Sequence, residues 1–201
     1  MSITLTTLRS QVREMMDLDE QDLPDTVIDQ FAREGFQRIY ALERRWPYLQ
    51  ETYTFNTVAN QREYTISTIG DIREIISVIE NSTSGSRLTL IPYDNAEEIW
   101  LGNTDVPSRP YFYSFWNQKL QLWAKPDVVY NMVVRAYRNP VYTWLTNVNE
   151  AIDLDEWFHS ILPYFVLARS YQRQEDAQLS AMHMNSFEQG VSLARRDLMK
   201  A

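Results

Sequence analysis

The sequence predicts an α+β protein: a four-helix bundle built from the two ends of the chain, with an antiparallel β-sandwich or barrel inserted between them. Three observations carry that expectation. Apolar residues recur every three or four positions through both ends of the chain, which is the period of one buried helical face. After Gln50 the period drops to two, in short runs rich in β-branched and aromatic residues. Six or seven such runs follow at regular spacing, separated by turn residues, as in a sandwich or barrel. The domains expected are 1–48 plus 143–201 for the helices and 49–142 for the insertion, which projects from the bundle as a second body.

Helix 1 is read over about residues 4–17 from Leu5, Leu8, Val12 and Met15 or Met16, with Thr4 to Thr7 as cap candidates. Helix 2 follows, with Pro24 in its first turn and the stripe Ile28, Phe31, Ala32, Gly35, Ile39, Leu42 and Trp46. Gly35 lies on that stripe, where it lets a neighbouring helix come close. Pro47 forces Trp46 out of helical geometry and ends the element there. At the other end, Trp157, Ile161, Tyr164, Phe165, Ala168 and Tyr171 mark a third helix. Pro163 either kinks it or moves its start toward residue 161. A fourth stripe, from Ala177 to Leu198, folds back on the third through Gln174-Glu175-Asp176.

Between these ends, strands are expected at Thr52–Asn56, Arg62–Ser67, Ile72–Ile79, Arg87–Ile91, Tyr111–Phe115, Lys119–Trp123 and Tyr130–Tyr137. Asn81–Ser86 is a turn cluster joining the third run to the fourth as a hairpin. Asp94 to Trp100 reads as a short helix with Asp94 and Glu97 as its capping box. Gly102–Pro110 is the longest loop. Tyr142 and Trp144 sit in an aromatic-rich linker to the closing helices.

Composition narrows the chemistry. Hydrophobic residues at 44% and aromatics at 13% mark a folded chain. Its aromatic surplus is read first as core and then as subunit interface. With no cysteine, disulfides, thiol catalysis and thiolate metal sites are excluded. Two histidines, His159 and His183, are too few and too separated for a histidine-rich metal site. Five glycines in the whole chain leave no phosphate-binding loop.

The remaining carboxylate clusters have plain readings. Asp17, Asp19 and Asp22 lack the glycine and closing glutamate of a calcium loop, so they form a solvated turn. Asp153, Asp155 and Glu156 open a helix, where acidic residues cap. Glu97 and Glu98 have no second carboxylate identified across a cleft, as a glycosidase requires. The expectation is therefore a protein that is not an enzyme, with no catalytic residue, metal ligand or cofactor. No apolar run approaches the roughly 20 residues of a membrane span, and the start of the chain is unlike a signal peptide. A net charge of −8 opposes general affinity for nucleic acid.

Arginines gather on helix 2 (Arg33, Arg38, Arg44, Arg45) and with Lys200 at the end of the last helix (Arg195, Arg196). They are either solvated charge or partners for acidic residues on another subunit. The candidate interface residues are Arg44, Arg45, Trp46, Tyr111, Tyr113, Trp116, Arg195 and Arg196, and the 102–110 loop is a further contact candidate.

The order of phrases then resembles a known family. It runs T-T-L-R (Thr6–Arg9), A-R-E-G-F-Q-R-I (Ala32–Ile39) to Trp46-Pro47, E-T-Y-T-F-N-T-V (Glu51–Val58), N-Q-R-E-Y-T-I (Asn60–Ile66) and I-R-E-I-I-S-V (Ile72–Val78). R-L-T-L-I-P-Y-D (Arg87–Asp94), L-Q-L-W-A-K-P-D (Leu120–Asp127), V-V-R-A-Y-R-N-P (Val133–Pro140) and L-A-R-S-Y (Leu167–Tyr171) follow. The chain is similar over nearly its whole length to the adaptor, or head-to-tail connector, proteins of tailed bacteriophages, including tail-tubular gatekeeper proteins. That resemblance implies a virion protein, made in the cytoplasm of a bacterial host. It would form a ring, usually of twelve copies, beneath the portal protein. Such a ring extends the channel for double-stranded DNA, read without sequence preference, and docks the tail or nozzle protein. In such relatives the helical body builds the ring and the C-terminal segment grips the portal. Acidic residues turned to the channel would let phosphate slide. Two alternatives stay open: a tail-associated module that binds protein or carbohydrate without forming a ring, and a hydrolase built on the carboxylates.

Overall fold

The computed structural model describes residues 2–82, 85–101 and 106–200. In chain order the helices are α1 (Leu5–Met16), α2 (Asp25–Leu42), α3 (Ile66–Ile69), α4 (Tyr93–Leu101), α5 (Glu156–His159), α6 (Leu162–Arg173) and α7 (Ala177–Leu198). The strands are β1 (Gln50–Asn56), β2 (Glu63–Thr65), β3 (Ile72–Glu80), β4 (Thr89–Leu90), β5 (Phe112–Trp116), β6 (Lys119–Trp123) and β7 (Asn131–Arg138). This mixed α+β chain divides into two compact units, Met1–Tyr48 with Pro140–Ala201, and Leu49–Asn139.

In the helical unit α1 begins in a reciprocal capping box, in which Thr4 and Thr7 each accept a backbone N–H from the other with their side-chain oxygens. It ends at Asp17 in left-handed geometry (φ 53°). The Arg9 guanidinium then clips α1 to α2, donating to both carboxylate oxygens of Asp29 (2.8 and 2.6 Å) and to Asp25 (2.6 Å). Helix α6 contacts α1, α2 and α7, so it is the element on which the unit packs. Gly35 of α2 makes one close approach possible. A methyl group placed there would lie 2.8 Å from Leu162 and 2.9 Å from Phe165. Gly190 of α7 does the same against Ile161, at 2.9 Å. Pro163 falls in the first turn of α6, and the expected third helix accordingly breaks into α5 and α6.

Helix 2 departs from expectation at its end. It stops at Leu42, because Glu43 is extended and its carboxylate accepts from the Arg45 N–H (2.9 Å) and from Arg195 (3.1 Å). Trp46 is therefore not on the helical stripe. The chain folds it back, wholly buried, so that its indole N–H donates to the Ile39 carbonyl at 3.1 Å. That bond satisfies a backbone acceptor near the helix end that would otherwise go unpaired. The expected aromatic linker is likewise folded: Trp144 lies in a short turn, wholly buried, 5.4 Å from the ring of Phe36.

The other unit holds two sheets, of order β1-β7-β3 and β2-β6-β5-β4. Neither closes into a barrel among the described residues. Side chains from both sheets, including Tyr64, Val78, Tyr113, Leu122 and Val134, form one apolar cluster. The expectation of purely antiparallel strands fails at β4, which pairs parallel with β5. The chain leaves β4 through α4 before returning to β5, and a crossover of that kind delivers a parallel partner. A hairpin contact does survive upstream, as an isolated bridge between Ile79 and Arg87. The expected second strand is cut short at Thr65, because Ile66–Ile69 turn helical and bury Ile66. Helix α4 starts at Tyr93, which puts Asp94 inside its first turn rather than at the cap. Residues 83–84 of the turn cluster and 102–105 of the long loop lie outside the described residues.

Candidate interaction surface

The clearest outward-facing apolar surface is on β5 and its neighbours. Tyr113 and Ser114 in mid-strand are buried, but Tyr111 (55%), Phe115 (46%) and Trp116 (56%) are largely exposed. Beside them Leu90 on the two-residue strand β4 is 59% exposed. The β5–β6 turn is Asn117-Gln118, with φ of 48° and 61°. Two positive φ values in a two-residue loop match the right-handed twist of paired strands. This tight tip fixes Trp116 opposite Lys119 and holds its ring stacked on Tyr93, at 5.2 Å and 19°. Between β3 and β5 lies an apolar slot of about 280 Å³, lined by Ile72, Ile75, Leu90, Tyr113 and Phe115 with Arg73 and Glu74.

Other candidates separate cleanly. Tyr111 and Trp116 lie on the exposed surface, while Tyr113 between them faces the apolar cluster and its hydroxyl is pushed above its ordinary pKa by burial. Trp46 is core, 5.0 Å from the ring of Phe158. Arg44 and Arg45 are exposed. The structure brings them near Arg195 through Glu43, and Arg196 pairs with Asp197 at 3.1 Å. Hydrogen bonds from this group hold the Glu43 carboxyl below its ordinary range, the Arg45 backbone N–H first among them.

Two features escaped the sequence reading. Leu90 reads as an ordinary strand residue, and only the parallel pairing with β5 leaves it outside. Glu80 is 1% exposed and pairs with Arg109, with Ser82 donating to the same oxygen at 3.0 Å. A terminal glutamate on a strand and an arginine in a distant loop carry no sequence signal of each other.

Several titratable groups among the described residues have structural partners. Asp155 caps α5 by accepting the Trp157 N–H at 3.0 Å, and Asp153 accepts the Val141 N–H at 2.7 Å. His183 is stacked between Tyr171 (5.4 Å) and Tyr164 (6.1 Å), and burial lowers its pKa. The Tyr53 hydroxyl is pushed up to about 12 by burial and then by its hydrogen bond to Glu51. Among the described residues no group of three His, Cys, Asp or Glu side chains could hold a metal ion. No described helix is long and apolar enough to cross a membrane.

Two internally packed units, exposed aromatics on a strand and an apolar slot are features that binding and assembly proteins share. Within that class the family is shown: a family model described as SU10 adaptor protein matches residues 3–200, and the chain belongs to the SU10 adaptor protein family. The resemblance to phage head-to-tail adaptors is thereby borne out, and the protein is a structural adaptor of the phage virion. No curated protein matches the chain.

Proposed function

We propose that this adaptor forms a ring, of twelve copies, between the portal protein and the tail or nozzle protein, and that it extends the channel for double-stranded DNA without transforming a substrate. The observation that carries the reading is the family match over residues 3–200. The helical part serves as a four-helix body that closes the ring, with Arg44, Arg45, Arg195 and Arg196 on its surface. The β part serves as a sandwich-like docking module, with Tyr111 and Trp116 at its contact edge. The exposed aromatics of β5 suit an interface, where such residues are enriched. A net charge of −8 suits a passage through which phosphate moves without being held. Mass photometry and negative-stain imaging of the full chain, with and without portal protein, test this. Rings, alone or templated on the portal, are the expected result. A monomer that ignores the portal but binds a tail protein or a glycan through β5 would replace this reading with that of a tail-associated binding module.

A further inference from the structure

The helical unit is electrically lopsided along α2. Before the N-terminal end of that helix, Glu14, Asp17, Asp19, Glu20 and Asp22 are all exposed within a nine-residue span. The two nearest arginines are already engaged, since Arg9 and Arg13 hold Asp25 and Asp29. Beyond the other end of α2 come Arg44 and Arg45, and the end of α7 adds Arg195, Arg196 and Lys200. Glu43 ties the two segments together, accepting from the Arg45 N–H at 2.9 Å and from Arg195 at 3.1 Å. With Arg45 left out of the sum, setting Glu43 and Asp197 against Arg44, Arg195, Arg196 and Lys200 leaves a balance of 4 − 2 = +2, in a chain whose net charge is −8.

These two ends cannot neutralise each other within one chain. Helix α2 has 18 residues and so spans about 27 Å. That separation is more than twice the roughly 8 Å over which salt screens charge in physiological solution. Between two chains the same ends can meet. Joining unlike surfaces of successive copies is the heterologous arrangement from which closed rings are built.

We propose that the basic end formed by α2 and α7 docks on the acidic α1–α2 turn of a second copy of this chain. This rests on the ring reading above and names the surfaces that close the ring. Duplex phosphate is the competing occupant of the basic end. The second copy is favoured because the same chain carries a matching set of five exposed carboxylates, and because the overall charge repels nucleic acid.

The test uses the full chain, with portal protein as template, followed by mass photometry at low and high salt. One variant, R44E/R196E, makes both ends acidic. A second, E14K/E20K/D22K, takes the acidic end from −5 to +1 and so makes both ends basic, and neither variant touches the Glu43–Arg195 contact or the turn bonds of Asp19. Each alone is expected to associate at least about tenfold more weakly than the natural protein, and a mixture of the two to recover to within about threefold, since unlike ends again meet. Recovery in the mixture also shows that neither variant is misfolded. Rings that form normally from either variant, or a mixture that fails to recover, overturn the proposal alone. So does an R44E/R196E protein that assembles normally but loses affinity for a duplex oligonucleotide, which would assign the basic end to DNA. A natural protein that never associates, with or without portal, removes the ring reading as well.

Discussion

The two units treat their large apolar side chains in opposite ways. In the helical unit Trp46, Trp144, Phe36, Phe158 and Phe187 are fully enclosed, and its exposed apolar residues are spread over five helices (Met15, Leu42, Trp157, Tyr164, Met182, Leu193) and the segments beside them (Val141, Met199). Scattered exposure of that kind is ordinary. In the β unit, Leu90, Tyr111, Phe112, Phe115 and Trp116 crowd onto one parallel strand pair and its approach. By the alternation of the strand, Tyr111 and Phe115 belong to one face of β5 and Phe112 and Trp116 to the other, so aromatic rings are exposed on both sides of it. The helical unit thus encloses its largest aromatics, whereas the β unit leaves several of its own in contact with solvent.

Substitutions sharpen that contrast. The largest effect is expected from Trp144→Ala, which empties a fully enclosed site against Phe36 and should cost about 3–5 kcal/mol. Urea unfolding followed by circular dichroism measures it. Next comes Gly35→Val. Its branched side chain would press on Leu162 and Phe165 and should cost about 1–3 kcal/mol in the same assay. Both effects at the level of a surface change would break the view that the helical unit is closed.

A smaller effect follows from His183. Its folded-state pKa lies below the ordinary 6.5 because burial disfavours the charged ring. The folded protein therefore binds this proton less readily than the unfolded chain. The stability tied to the neutral ring is complete above about pH 6.5 and is lost as pH falls through the lower folded value. Melting temperature should decline on that acid side, and His183→Gln should flatten the decline. The smallest change in stability, within about 0.5 kcal/mol, is expected for Trp116→Ser, because its site is open to solvent. That variant should nonetheless lose binding to the tail or portal partner in a pull-down. A large loss of stability with unchanged binding would reverse the comparison.

Much of the architecture was legible in the sequence because it is written in local patterns. The stripes on α1 and α7 and the alternation of β7 gave their elements within a residue or two. Pro163 marked the start of α6 for a purely steric reason. What stayed hidden depends on distant partners. The end of α2 is set by Glu43 meeting Arg195 from the far end of the chain. The partner of β4 is decided by a crossover through α4. On β5 the run F-Y-S-F-W is aromatic at both phases of the pleat, so alternation cannot tell an inward face from an outward one. The adaptor family could be named from the order of phrases, yet the exposed members of β5 could not.

Gly35 and Gly190 have a mechanical corollary. They come from different helices, but the side chains they make room for, Ile161, Leu162 and Phe165, all sit at the beginning of α6. Interiors packed to this density have no spare volume for an added methyl group. A side chain added at either glycine would therefore press on the same corner of the unit, the first turn of α6 and the residue before it.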